Sequence, residues 1–493
     1  MKRIIAIVLL VLIAQLVLGQ DYGDFPKIEK EKLWSDLELL HQGLDKLHTG
    51  MYWYTPKDSV DAAFEMAKLQ IDSDLNVLEF HKIIAPLVAL SREDHTNVYL
   101  PETVKRSLKE NTLFLPLTVV FLGEELYCVK NGSNIDDFDM EGKVITSING
   151  EPPSEIVNKI GTLFASDGFI KTVKYSDLNG FSFALYYFYY HGRTDRFEIV
   201  FEGEAQPIIM ESQNLATINK QLKNRYPETR EKEKQAPLEL VFVGDSVAYL
   251  GIHDFSNSEI KEHSQYKRLS KFLKHSFQLI ADCGVQTLIV DVSKNTGGSE
   301  GNEGLLYSYF GENYQKYTQV LAKTPKAVLD NGVDPPKTLK TYGFAERIFT
   351  TKTMPDGSLE RTQVFGKGLM AYKKEPKYKF EGEVYVIISP LTYSGGSEFS
   401  NMMYSQGLAT FVGQETGGGY YGNTSGYMKQ LILPNSRIEV YIPTLHFVMN
   451  VSPTLPFGRG VIPHYKVIPT FEEYINGENA SLNFILEILV RNP

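Results

Sequence analysis

Two short stretches of this 493-residue chain combine residue types that could break a covalent bond. The first is Asp291-Val292-Ser293-Lys294-Asn295-Thr296-Gly297-Gly298, directly after an apolar, β-branched run. Paired glycines let backbone come close to a ligand, and N–H groups left open at a helix start can hold an anion. The second is Thr392-Tyr393-Ser394-Gly395-Gly396-Ser397-Glu398-Phe399, again after an apolar run. A serine at a helix N-terminus can aim its oxygen into a cleft while the N–H groups behind it face a developing oxyanion. Each stretch also has a plainer reading. Gly-Gly makes a tight turn, and serine is a preferred N-cap, so Ser-Gly-Gly-Ser also fits a cap followed by a turn.

A serine hydroxyl is a weak nucleophile and needs a base. Of ten histidines, His95 is the best placed, in a polar loop between Asp94 and Thr96. The others have structural readings: His253 in a strand, His263 and His275 on an amphipathic helix, His191 after an aromatic run. No His-x-x-x-His spacing falls on an expected helix, so no metal centre is expected. No Gly-x-Gly-x-x-Gly opens a helix after a strand and no phosphate-loop motif occurs, so no organic cofactor is expected either.

The elements that must position these residues follow from periodicity. Leu33, Leu37, Leu40 and Leu44 recur at helical spacing, as do Phe64, Met66 and Leu69, and a third helix is expected over 77–91. It runs into Arg92-Glu93-Asp94-His95-Thr96, a loop. From about 112 to 205 the period is that of strands: 115–122 and 125–130 flank the turn Gly123-Glu124, and 142–150 ends in an Asn-Gly turn. Residues 206–237 are polar and basic in patches, read as a linker with a marginal helix. Beyond 238, strands at 247–252, 287–292 and 384–389 alternate with helices at 260–280 and 396–407. That order implies a largely parallel α/β sheet.

Composition bounds the function. The chain is 43% hydrophobic and 22% charged, an ordinary globular mixture long enough for several domains. A net charge of −10 argues against nucleic acid as a main partner, because phosphate binding needs a basic surface. Two cysteines, Cys128 and Cys283, exclude a disulfide framework and read as core thiols. Lys2 and Arg3 precede an apolar stretch over 4–18, with Val17 and Gly19 small enough for a cleavage site. Fifteen residues are too few to span a bilayer. The reading is a signal peptide over 1–19, export, and no stable membrane anchor.

Taken together and in this order, the motifs resemble the tail-specific (C-terminal-processing) serine protease family and its tricorn-like relatives. There the first strand ends in Asp-x-Arg-x-Asn-x-Gly-Gly, where this chain has Ser293 in place of Arg. The nucleophile motif Thr-Ala-Ser-Ala-x-Glu is similar to Thr392–Ser397. Val412-Gly413-Gln414-Glu415-Thr416-Gly417-Gly418 and Gly460-Val461-Ile462-Pro463-His464 resemble the later Val-Gly-Glu-x-Thr-x-Gly and Gly-Val-x-Pro-Asp. Upstream, His48–Tyr52 and Glu93–Thr96 resemble His-Pro-x-Leu-Tyr and Asp-Gly-His-Thr of secreted bacterial members.

The resemblance implies an α/β fold with a ClpP/crotonase-like spiral catalytic core, an N-terminal helical segment and a degenerate PDZ-like β module. Expected boundaries are 20–105 for the helical domain, 106–205 for the PDZ-like domain, 206–237 for the linker and 238–493 for the core. It implies Ser394 as nucleophile and His95 as base. Gly395 with Gly297 or Gly298 would form the oxyanion hole. The substrate would be a peptide or unfolded protein. The lysine that serves as base in the C-terminal-processing branch is replaced here by Gly419, with Lys429 the nearest one downstream. The glutamate of the tricorn-like branch is missing from Pro456–Arg459, which leaves Asp94 and Glu415 as the orienting acids to consider. Two other readings remain in view. One is a non-catalytic peptide- or lipid-binding protein on the same fold, in keeping with 12% aromatic residues. The other, a serine esterase, fits less well because Tyr393-Ser394-Gly395 departs from Gly-x-Ser-x-Gly.

Overall fold

The computed structural model describes residues 22–23, 25–227, 236–323, 351–355, 357–361, 369–426 and 428–491. The signal peptide expected over 1–19 lies outside them. Among the described residues no helix is long and apolar enough to cross a membrane.

The first region is helical. Lys30–Leu47 buries Leu33, Leu37, Leu40, Leu44 and Leu47, a stripe at spacings of three and four that faces one side. Asp36 lies on the same face and its carboxylate accepts the N–H groups of Asn435 and Ser436 at 3.1 and 2.7 Å, tying this helix to a turn late in the chain. The helix Val77–Ala89 starts with a capping box in which Asn76 and Glu79 satisfy each other's backbone N–H groups. It delivers the chain through Arg92, at φ 51°, into the loop that carries His95. The following strand, Asn97–Tyr99, pairs antiparallel with Glu439–Ile442, so the loop is held at both ends.

A five-stranded antiparallel sheet follows, in the order 117–122, 125–131, 144–148, 196–201, 208–211. Asn149 and Gly150 both take positive φ, 52° and 79°, as the two-residue turn demands. The stretch read as a linker is folded at least to Arg225. Ile208–Glu211 is an edge strand, and the helix Leu215–Arg225 is pinned by the Arg225 guanidinium donating to the carbonyls of Asn131, Ser133 and Ile135.

The third region is built on a six-stranded sheet in the order 238–243, 247–252, 287–291, 383–388, 410–413, 465–466; only the first pair is antiparallel. Both faces are covered, as a parallel sheet requires. Leu250, Val290, Val386 and Phe411 point into the larger core, beside Phe272, Phe277 and Phe399 of the flanking helices. Tyr249, Ile289, Tyr385 and Ile387 face the opposite side, against the C-terminal helix Ala480–Arg491. The expected single helix over 260–280 is two, Asn257–His263 and Leu269–Asp282. The break falls where the Ser264 hydroxyl donates to Ile260 O and Tyr266 O. Cys128 is buried, whereas Cys283 is exposed, at the C-cap of the helix that ends at Asp282. In register, Asp291 lies beside Ile387. The two candidate junctions therefore leave adjacent parallel strands at the same carboxyl edge, where α/β sheets place their sites.

Candidate active site

Register alone brings the two glycine-bearing turns together, and hydrogen bonds stitch them. Thr392 Oγ1 donates to Val292 O at 3.0 Å, and Tyr393 N–H donates to Asn295 O at 3.0 Å. Asn295 is fully buried and shapes its own turn, donating from Nδ2 to Ile252 O and accepting Gly297 N–H at 2.9 Å. Its place in the motif was legible in the sequence, but this stitching was not.

Ser394 is the N-cap of the helix Gly395–Ser405, with φ 46° and ψ −120°. Such a conformation in a non-glycine residue costs on the order of 1–3 kcal/mol and persists only where surroundings enforce it. The hydroxyl makes no capping bond, so it is not spent on the helix. Gly297 presses against it: a Cβ there would lie 2.6 Å from Ser394 Cβ, 2.9 Å from Oγ and 3.1 Å from Gly395 N. Gly297 N–H is committed to Asn295. Gly298 is exposed at φ 140°, and its neighbours rather than its own N–H form the bridge to Phe255.

The helix behind Ser394 is anchored from below. Glu398, in the first turn of that helix, is buried. Its carboxylate accepts from Lys316 Nζ at 3.0 Å and Tyr317 OH at 2.6 Å, while Lys316 also meets Glu303 at 2.6 Å. The two carboxylates raise the Lys316 pKa well above its ordinary value, against a desolvation effect that works the other way.

His95 sits half-buried in a loop between the buried Glu93 and Thr96. Burial lowers its pKa to about 4, so the imidazole is neutral at neutral pH. Nδ1 is buried without a partner, and no hydrogen bond joins the ring to Ser394. Catalytic hydrogen bonds are often long in unliganded sites and tighten only with substrate. Around it lie acids held high in pKa. Burial and the Asp167 charge raise Asp94 to about 7, burial raises Asp167 to about 6, and burial raises Glu93 well above its usual range. Glu93 accepts Thr424 N–H at 2.8 Å, and His48, on the turn after the first helix, bonds Thr96 Oγ1 at 2.7 Å.

Neither expected orienting acid bonds the imidazole. Glu415 is taken up by Arg459 in a bidentate pair at 2.7 and 2.6 Å and by Gly460 N–H at 3.0 Å. Asp94 engages through its backbone, its N–H donating to Asp167 Oδ1 at 2.9 Å. Sequence reasoning missed Asp167, which reads locally as one acid in a Ser-Asp-Gly turn. At the position of the family's lysine, a Cβ on Gly419 would meet Gly422 O at 2.7 Å. Lys429 lies on the strand Lys429–Ile432, which pairs with 439–442. Among the described residues no cluster of three or more His, Cys, Asp or Glu could hold a metal.

Residues 246–467 match peptidase family S41. No curated protein matches the chain. Among solved structures, mature CPAF superposes with a TM-score of 0.58 at 16% identity, over 90% of this chain and 94% of that one. Mature CPAF complexed with lactacystin gives 0.59 at 14% identity, over 94% and 99%. At these identities the likeness is one of fold.

Proposed function

Residues 246–467 make this chain a member of peptidase family S41, a serine-type peptidase, and from that premise we propose that Ser394 is the nucleophile and His95 its general base. The carrying observation is the strained Ser394 elbow, its hydroxyl free and pressed against Gly297 between Gly395 and Gly298. In the proposed reaction His95 takes the proton from Oγ as it attacks a peptide carbonyl, then returns it to the leaving amine. The N–H groups of Gly395 and Gly298 hold the oxyanion; Gly297 contributes shape, since its own N–H serves Asn295. Glu415 serves the Arg459 pair, and of the two acids considered Asp94 is the one adjoining the base.

The substrate is a peptide or protein. We assign it to extended or unfolded chains, with the helical region and a PDZ-like module over 106–205 flanking a ClpP/crotonase-like core from 238 onward. Export is proposed on the basic and apolar pattern of residues 1–19.

The test is hydrolysis of an unfolded protein by the mature chain and by Ser394→Ala and His95→Ala. Ser394→Ala should lose at least ~10³-fold in kcat, and His95→Ala about 10²–10⁴-fold, both with unchanged circular dichroism. Activity surviving in folded Ser394→Ala refutes the assignment; a dead serine variant beside an active histidine variant moves the base elsewhere, with Lys429 the first to examine.

A further inference from the structure

We propose that Asp167 is a positioning residue of this site: its carboxylate clamps the His95 loop to the chain that runs beside Ser394. The inference rests on the Ser394/His95 reading above.

Asp167 is 1% exposed, and what stabilises its charge is a pair of backbone N–H groups rather than a cation. A buried carboxylate is costly unless such groups satisfy it. Oδ1 accepts Asp94 N–H at 2.9 Å and Oδ2 accepts Gly419 N–H at 3.1 Å. These donors lead to the two halves of the site. Asp94 is followed by His95. Gly419 follows Gly418, whose N–H donates to Thr392 O at 3.1 Å. There an added Cβ would lie 3.4 Å from Ser394 N.

The residues after Asp167 extend the same clamp. Gly168 N–H donates to Arg92 O at 2.8 Å, and Phe169 N–H donates to Gly458 O at 2.7 Å. Gly168 takes φ 55°, and a Cβ on it would lie 2.4 Å from Gly458 O. Three consecutive residues from a region far from both motifs thus meet three loops of the site. Because no acid holds the imidazole through Nδ1, the place of His95 relative to Ser394 is set by its backbone. The side chain that fixes that backbone against the nucleophile loop is Asp167. Misplacing reacting groups by about 1 Å can cost ~10²-fold in rate.

The experiment measures kcat and KM on a fluorogenic peptide, together with fluorophosphonate labelling of Ser394. The proteins are wild type, Asp167→Asn, His95→Ala and the double variant. Asparagine keeps the shape but has one acceptor oxygen for two N–H groups. We expect kcat to fall about 10–100-fold in Asp167→Asn, with KM within about threefold and labelling slowed in parallel. Because Asp167 acts through His95, the double variant should be less than about threefold below His95→Ala alone. A folded Asp167→Asn with kcat within threefold of wild type overturns the proposal. So does a double variant whose losses multiply, as a purely structural carboxylate would give. If Asp167→Asn does not fold, Asp167→Ser is measured in the same cycle, and failure of both to fold also overturns it. A wild type that neither cuts nor labels, or an active His95→Ala, instead refutes the Ser394/His95 reading and takes this proposal with it.

Discussion

Gly297→Ala is the most economical perturbation of the site, because it adds one methyl group at a known place. The new Cβ would lie 2.6 Å from Ser394 Cβ, 2.9 Å from Oγ and 3.1 Å from Gly395 N. Carbon atoms in contact sit at about 3.5–4.0 Å, so something must move by roughly 1 Å. The atoms in the way are those of the proposed nucleophile and of a proposed oxyanion donor. Losing alignment of one such donor costs about 10²–10³ in kcat, or some 2.7–4 kcal/mol of barrier. The substitution also strains the backbone, since Gly297 has φ 108°, a cost of about 1–2 kcal/mol in stability. Gly301→Ala separates the two effects: Gly301 has φ 96° and nothing within 4 Å of an added Cβ. Both variants should lose stability in urea, Gly297→Ala the more because its methyl group must also be accommodated. Only Gly297→Ala should lose activity, by at least ~10²-fold in kcat, with fluorophosphonate labelling slowed to match. If Gly297→Ala folds yet keeps kcat within about threefold of wild type, the reasoning from that close approach is refuted.

Lys316→Met leaves Glu303 and Glu398 buried without their cation. It should destabilise the chain by about 3–5 kcal/mol in urea unfolding, and a loss under about 1 kcal/mol would contradict the ion-pair account. Thiol titration of the native chain should find one fast group, Cys283. Cys128, buried and with its pKa pushed up to about 12, should react only on unfolding. Burial disfavours the imidazolium in His95, His81 and His446, lowering each pKa to about 4, so each stays neutral as pH falls below 6.5. In the unfolded chain these rings take up protons first, so their contribution to stability drains away between about pH 6.5 and 4. Carbon-13 histidine spectra should show no midpoint near 6.5 for these three; such a midpoint for His95 would contradict its buried, neutral state.

What the sequence disclosed was chemistry written within a few residues of a strand end. The strand Val247–Ile252, the Asn-Gly turn and the cap at Ser394 each follow from local pattern, because period, turn residues and capping act over one or two turns of chain. Contacts made across the sheet left no local sign. Glu398 looks like a residue suited to a helix dipole, and only Lys316 and Tyr317, some 80 residues earlier, make it a buried anchor. Glu415 looks available until Arg459 is seen to hold it.

The absent lysine is the instructive case, since the sequence displayed Gly419 without its reason. A side chain there would press on Gly422 O at 2.7 Å, with Asp167 Cβ 3.9 Å away on another side, and the Gly419 N–H is already given to Asp167. A lysine stem leaving that position would therefore have to displace the carbonyl and disturb the clamp on Asp94. Glycine at 419 and aspartate at 167 belong to one arrangement, in which the N–H groups of Gly419 and Asp94 share a single buried carboxylate.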